Sequence, residues 1–398
     1  MNDGSPEQKA VRTDELARLA SEHGRLAIDT EFVSERRYQA LLCLAQVAVP
    51  DPREPSGVRT EVLDPLDDSH PLDPAPLARA LADPAVEIVV HSGRQDVAIL
   101  RRTWQSEITK VFDTQVAAGF LGMGNQEGYE SLTRRVLGVQ LRGGEGFTRW
   151  DKRPLTERQL SYAADDARCL LTLGEAITRE LEEVGRLEWA REECRQVEES
   201  NDERSPERAY DRLPNLRRLD GRQRAVARRL CEWREAAARE IDRPPSSLVP
   251  DQTLVQLARR QPKDKEGLEQ IRGLPQQTLH RRTRELLDAI ASSEGDEPPP
   301  GPPPALQRDA AEAPVVSLAQ ALVRHRSRES KIATELIATQ SELTAVVGTV
   351  RRGDEPDDIR VLHGWRRELV GDELRALVQG KLAMSVGPDG SLHVERTD

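Results

Sequence analysis

Cysteine is scarce in this 398-residue chain: Cys43, Cys169, Cys194 and Cys231 stand far apart, with no CxxC pair. That spacing excludes a disulfide framework and a structural zinc site, and leaves four reduced thiols as the reading. Long apolar runs are also absent. Nowhere do eighteen apolar residues follow one another, so no membrane span is expected. The opening MNDGSPEQKA lacks the basic-then-apolar pattern of an export signal, and a cytoplasmic protein is expected. Glycine-rich phosphate signatures are missing as well. GxxxxGK[ST] does not occur, and Gly119, Gly122 and Gly124 have the wrong spacing for GxGxxG, which removes helicase motors and Rossmann-type dinucleotide binders. Positive charge is short overall: the net charge is −11, which taken alone argues against a polyanionic partner.

The apolar residues that are present, 37% of the chain, are lean beside 32% charged residues, so they must be concentrated in well-patterned parts. A chain of this length suggests two or three domains. Four strand candidates precede residue 92: Leu26 to Ile28, Ala40 to Val49, Val58 to Leu63 and Glu87 to His91. The first three leave little room for helices between them. Helical spacing follows at Asp96 to Trp104 and Asp113 to Leu121, so a β-meander leading into α/β crossovers is expected. Leu155 to Glu183 carries a long amphipathic helix pattern opened by Pro154, with Thr156 as candidate N-cap. These features define an α/β domain over 1–185 with a mixed sheet.

A charged connector is expected over 186–213. Residues 214–291 then read as four helices, broken at Pro244-Pro245, Pro262 and Gly273, in a small bundle. This segment holds 17 Lys and Arg against 11 Asp and Glu, a net +6, leaving −17 for the remainder. A basic module thus sits inside an acidic chain. SSEGDEPPPGPPP opens a proline-rich linker over 292–313. The region 314–398 shows helix-like stretches at 316–347 and 358–386, then a Gly-Pro-Asp-Gly turn between short strand pieces.

Chemistry-bearing residues are few and ordered. Asp29 and Glu31 lie two apart at the end of an apolar strand, so both carboxylates share a face and repel unless a cation lies between them. Asp96 follows the fourth strand by a short loop, at the start of a helix. Tyr162 and Asp166 lie four apart on the long helix and address one point in space, while Asp165 is about 100° away around the axis. His91 is read as a structural histidine. Taken together, D-x-E, a later Asp and Y-x-x-x-D supply four hard oxygen groups of the kind that suits two magnesium or manganese ions.

At these residues the chain resembles the DEDDy exonucleases, and among them the ribonuclease D family. LAIDTEF carries Asp29 and Glu31, VVHSGRQDVAIL carries Asp96, and LTERQLSYAADDARCLL carries Tyr162 and Asp166. The likeness runs over about 20–185 and includes FDTQVAAGFLG and GYESL. RRLCEWREAAAREIDRPPSSLVPDQTLVQLARRQP and LEQIRGL are similar to an HRDC domain, and this resemblance implies that 214–291 is a nucleic-acid-binding module. The region 314–398 then reads as a degenerate second HRDC domain, since Trp365-Arg366 echoes Trp233-Arg234. One stretch departs from the family: LRGGEGFTRWDKRPL puts Arg149-Trp150 where the family commonly has Asp-Trp.

The resemblance implies a ribonuclease H-like exonuclease domain followed by all-α modules, and a 3′→5′ exoribonuclease that trims tRNA precursors and other structured RNAs to nucleoside 5′-monophosphates. It implies two divalent ions, Mg2+ or Mn2+, on Asp29, Glu31, Asp96 and Asp166, with Tyr162 at the attacking water. Phe32 and Thr30, beside Glu31, are placed to meet the terminal nucleotide. Neither a membrane nor an obligate protein partner is implied. Two alternatives stay open: a DNA 3′→5′ exonuclease of the same superfamily, and a catalytically inactive RNA-binding protein. Deleting 214–398 is expected to weaken RNA binding more than it slows hydrolysis.

Overall fold

The structure is a computed structural model that describes residues 6–124, 126–141, 148–301, 312–354 and 359–397. A helix that the sequence reading passes over, α1 (Pro6–His23), opens the chain. Strands β1 (Arg25–Val33), β2 (Leu41–Pro50) and β3 (Val58–Leu63) follow, then helix α2 (Ala75–Ala82), β4 (Glu87–Val90), α3 (Arg94–Trp104) and β5 (Val111–Asp113). The sheet order is β3-β2-β1-β4-β5, with β1 and β5 both parallel to β4 and β3 antiparallel to β2. The mixed sheet expected from the meander-then-crossover order is therefore present. Strand β5 is three residues long and heads what reads as one helical pattern; Asp113 ends the strand and caps α4 (Thr114–Ala118) by accepting from the N–H groups of Gln115 and Val116.

Helix α5 (Tyr129–Leu137) leads to α6 (Glu157–Glu183), which a capping box between Thr156 and Gln159 initiates. Its buried stripe of Ala163, Ala167, Leu170, Leu171 and Gly174 packs on the sheet. At Gly174 a Cβ would lie 2.6 Å from Val89 Cγ1, so only glycine lets α6 approach β4 this closely. Part of the charged connector is helical: α7 (Leu187–Glu198) buries Leu187, Ala190, Cys194 and Val197, and α8 is Pro206–Asp211.

The basic module comprises α9 (Gly221–Glu240), α10 (Pro245–Leu248), α11 (Asp251–Arg260), α12 (Lys265–Glu269) and α13 (Gln276–Ala291). Beyond the linker come α14 (Ala313–Ser330), α15 (Thr334–Ile337), α16 (Gln340–Arg352), α17 (Gly364–Arg366), α18 (Asp372–Val378) and a hairpin of β6 (Leu382–Val386) and β7 (Leu392–Arg396). The apolar pattern over 316–347 is thus two long helices, parted where Lys331 turns left-handed at φ 58°. The stretch 358–386 ends as a strand and not as a helix. Linker residues 302–311, and residues 142–147 of the departing stretch, lie outside the described residues.

Two compact units result. One joins residues 1–31, 42–201 and 307–398; the other joins 32–41 and 202–306. In the first, a single core holds Phe112, Phe120, Leu173 and Ile177 together with Leu322, Val346, Val361, Trp365 and Leu374, so the C-terminal region shares its interior with the sheet domain. Glu193 on α7 accepts from Trp365 Nε1 and pairs with Arg366 at 2.6 Å. In the second, Leu230, Leu254, Leu257, Leu268 and Leu286 form the bundle core. The 34–40 loop packs there through Tyr38, whose hydroxyl donates to Glu235 at 2.9 Å. No helix of the described residues is long and apolar enough to cross a membrane.

Candidate active site

Three elements supply the acidic residues. Strand β1 delivers Asp29 and Glu31, both half-buried at its C-terminal end, where the alternating pattern of the strand puts them on one face. The β4–α3 turn delivers Asp96 in the first turn of α3. That turn is itself held by Asp113, 1% exposed, whose carboxylate accepts from the N–H groups of Ser92 at 3.0 Å and Gly93 at 2.9 Å. A Cβ on Gly93 would fall 2.4 Å from Val90 Cγ2. Helix α6 brings Asp166, buried, and Tyr162, half-buried, one turn apart. Asp165 points elsewhere and pairs with Arg168 at 3.2 Å.

The four carboxylates feel one another. Burial, and then the charges of Asp96, Glu31 and Asp166, push Asp29 well above the usual carboxylate range. Burial followed by Asp166 and Asp96 takes Glu31 to about 8. Asp96 rises to about 6, burial outweighing the Thr30 hydroxyl that donates to it at 2.5 Å. Asp166 also rises to about 6 through burial, held back by the adjacent Tyr162 hydroxyl. The Tyr162 hydroxyl is raised by burial and by Asp166. Among the described residues, no three acidic, histidine or cysteine side chains are drawn together tightly enough to hold a metal ion as they stand.

Asp29, Glu31, Asp96, Tyr162 and Asp166, found by spacing, are therefore neighbours in space. Thr30, expected to face substrate, is instead buried with its hydroxyl spent on Asp96, so it orients that carboxylate. Phe32 is half-buried near the end of β1. His91 is structural as expected: its Nδ1 meets Thr114 Oγ1 at 2.9 Å, its ring lies 5.2 Å from that of Tyr129, and burial lowers its pKa. Sequence reasoning gave no role to Tyr129, whose hydroxyl donates to the Asp166 carbonyl oxygen at 2.5 Å, or to Trp150, whose ring stacks on Tyr162. Both contacts join segments distant in sequence, and no local spacing signals them.

A second surface belongs to the helical unit. A cavity of about 600 Å³ opens between α9, α13 and the loop after α11, with Arg222, Lys263 and Arg284 on its wall together with Asp288 and Glu294; Arg222 lies 3.8 Å from Glu294 and Arg284 3.8 Å from Asp288. Such exposed cations beside a groove suit phosphates.

Comparison with known proteins finds two matching family models. Residues 8–182 match the 3′→5′ exonuclease family, and residues 223–290 match the HRDC domain. Ribonuclease D of Granulibacter bethesdensis is 34% identical over 387 residues, covering 94% of this chain and 93% of that protein. Ribonuclease D of Sphingobium indicum is 35% identical over 384 residues, with the same two shares. The crystal structure of Escherichia coli RNase D, an exoribonuclease involved in structured RNA processing, matches with a TM-score of 0.79 at 28% identity, covering 92% of this chain and 96% of that one. A Bifidobacterium adolescentis protein shares the fold, with a TM-score of 0.67 at 22% identity over 92% of this chain and 95% of that one. With both modules in this order and about a third of positions identical along nearly the whole chain, the protein belongs to the ribonuclease D family of 3′→5′ exoribonucleases.

Proposed function

We propose that this chain removes nucleotides from single-stranded 3′ ends of RNA, tRNA precursors first among structured substrates, and releases nucleoside 5′-monophosphates. The observation that carries the reading is the placement of Asp29 and Glu31 on β1, of Asp96 against that strand through the Thr30 hydroxyl, and of Tyr162 and Asp166 one turn apart on α6. The donor set fits divalent cations: four hard oxygen groups, enclosed and mutually repelling, are costly without a positive charge among them. Asp29, Glu31, Asp96 and Asp166 would hold two such ions, Mg2+ or Mn2+. When bound, the ions supply an activated water and charge stabilisation at the leaving 3′ oxygen. Tyr162 orients that water or takes part in removing its proton. Phe32 stacks beside the terminal base, and the exposed cations of the HRDC module contact phosphates.

The C-terminal region is read as a degenerate second HRDC domain over 314–398. Two buried arginines support this: Arg234 donates to the Val249 carbonyl at 2.9 Å and pairs with Asp251, and Arg366 donates to the Leu336 carbonyl at 2.8 Å and pairs with Glu193. Each follows a tryptophan, and each is 3% exposed.

The test uses a 5′-labelled, 3′-tailed RNA and its DNA counterpart with Mg2+, Mn2+ or excess chelator. RNA should be shortened stepwise from its 3′ end, chelator should abolish the reaction, and Asp29→Ala should slow it by at least about 100-fold. Full turnover in chelator would refute the metal assignment. Faster cleavage of the DNA would move the reading to a DNA exonuclease, and binding without cleavage to an inactive RNA-binding protein.

A further inference from the structure

The stretch before α6 departs from its family, and the reaction described above leaves its tryptophan without a role. Trp150 is 2% exposed and among the largest fully buried side chains. Its ring centroid lies 6.4 Å from that of Tyr162, with the two planes inclined by 29°. Its indole Nε1 is buried with no acceptor among the described residues. A buried N–H left without a partner costs stability, so hydrogen bonding does not account for a tryptophan at this place. The broad flat face of the indole is the property that sets this residue apart.

An anchor holds that face in place. Arg153 Nε and Nη2 donate to the two carboxylate oxygens of Asp64 at 2.7 and 2.5 Å. The same Nη2 reaches the Cys43 carbonyl on β2 at 3.0 Å, and Nη1 donates to the carbonyl of Trp150 itself at 2.7 Å. One guanidinium therefore ties the tryptophan's backbone to the β2–β3 side of the sheet. The fork geometry is specific to arginine. Arg149, at the position where the family commonly has Asp, turns away to an exposed pair with Asp151 at 2.9 Å. That departure leaves the tryptophan and its anchor untouched.

We propose that Trp150 is a positioning residue for Tyr162: the stacked indole confines the phenol ring to the orientation that presents its hydroxyl beside Asp166, and the Arg153–Asp64 fork keeps the indole there. Tyr162 is half-buried, and without a wall on its flank its ring can leave the orientation that the reaction uses. The inference rests on the assignment of Tyr162 to the reaction, and a double-mutant cycle separates the two.

The full-length protein is compared with Trp150→Leu, Tyr162→Phe and the double variant, with kcat and KM measured on 3′-tailed RNA in Mg2+. Tyr162→Phe should lower kcat by about 100-fold. Trp150→Leu should lower kcat by about tenfold with KM unchanged, and in the Tyr162→Phe background it should cost nothing further. Trp150→Phe, which restores a flat ring, should recover most of the loss. An equal loss from Trp150→Leu in both backgrounds would overturn the positioning role while leaving Tyr162 in the reaction. No loss in Tyr162→Phe would overturn the assignment of Tyr162 and this inference with it. Should Trp150→Leu lose its cooperative thermal transition, Arg153→Lys takes its place in the same cycle, with the same non-additivity expected and additivity again overturning the role.

Discussion

At Glu342 two opposing effects decide the charge. Burial works against the carboxylate, but the Arg360 guanidinium and the Thr339 N–H outweigh it and bring the group down to about 2. A depressed carboxylate adds stability that is present above its unfolded value and is lost as pH falls through its folded one. Glu342→Gln should therefore cost about 2 kcal/mol at pH 7. The gap between variant and parent should close as pH falls from about 4.5 toward 2 in thermal unfolding curves, and a gap constant with pH would count against the pair. The five residues of the candidate active site are legible in the sequence for a related reason: chemistry that needs several carboxylates leaves them at fixed spacings on a strand and a helix. Asp113, Tyr129 and Trp150 are not legible, because their contacts reach 20, 37 and 12 residues along the chain to Gly93, Asp166 and Tyr162.

Among elements, α6 shows how far pattern reading reaches. Its start follows from Pro154 and Thr156 and its buried face from 3.6-residue spacing, while the reciprocal bond from Gln159 is a finding of the structure. Its depth on the sheet depends on Gly174 meeting Val89, which spacing does not reveal. Strand β5 escapes the same reading because three residues are too few for a period, and the break in 316–347 escapes because Lys331, not glycine, takes the left-handed turn. Four of the five HRDC helices are legible from their proline and glycine breaks, whereas the four-residue α10 sits at the Pro244-Pro245 break itself and is too short to show a period. Their groove permits a quantitative test: Arg222→Ala, Lys263→Ala and Arg284→Ala together remove three candidate phosphate contacts. The slope of log affinity against log salt for a single-stranded RNA should then become shallower by about 2. An unchanged slope would place the RNA on another surface.

For the whole molecule, the shared core changes what a truncation can mean. The sequence invites removal of 214–398 as a way to separate binding from hydrolysis, but that cut also takes away Leu322, Val346, Trp365 and Leu374, which share an interior with Phe112, Phe120 and Ile177. Trp365, 1% exposed, packs against Phe120 with ring centroids 4.9 Å apart and against Trp189 at 5.7 Å. Trp365→Ala should cost about 3–5 kcal/mol and lower the melting temperature of the exonuclease itself. A chain ending after Leu306 should lose soluble, cooperatively folded catalytic domain, as read by calorimetry and by nuclease assay together. Full activity in that truncated chain would show that the sheet domain closes without its C-terminal partner.

The return of residues 307–398 to the first unit also sets an order in time. Translation delivers a chain from its N-terminus at about 5–20 residues per second. The helical unit, whose last residue is Leu306, is fully delivered while the sheet domain still lacks part of its interior. On the ribosome the HRDC module is therefore delivered first, and the nuclease closes last, after Trp365 and Leu374 have emerged.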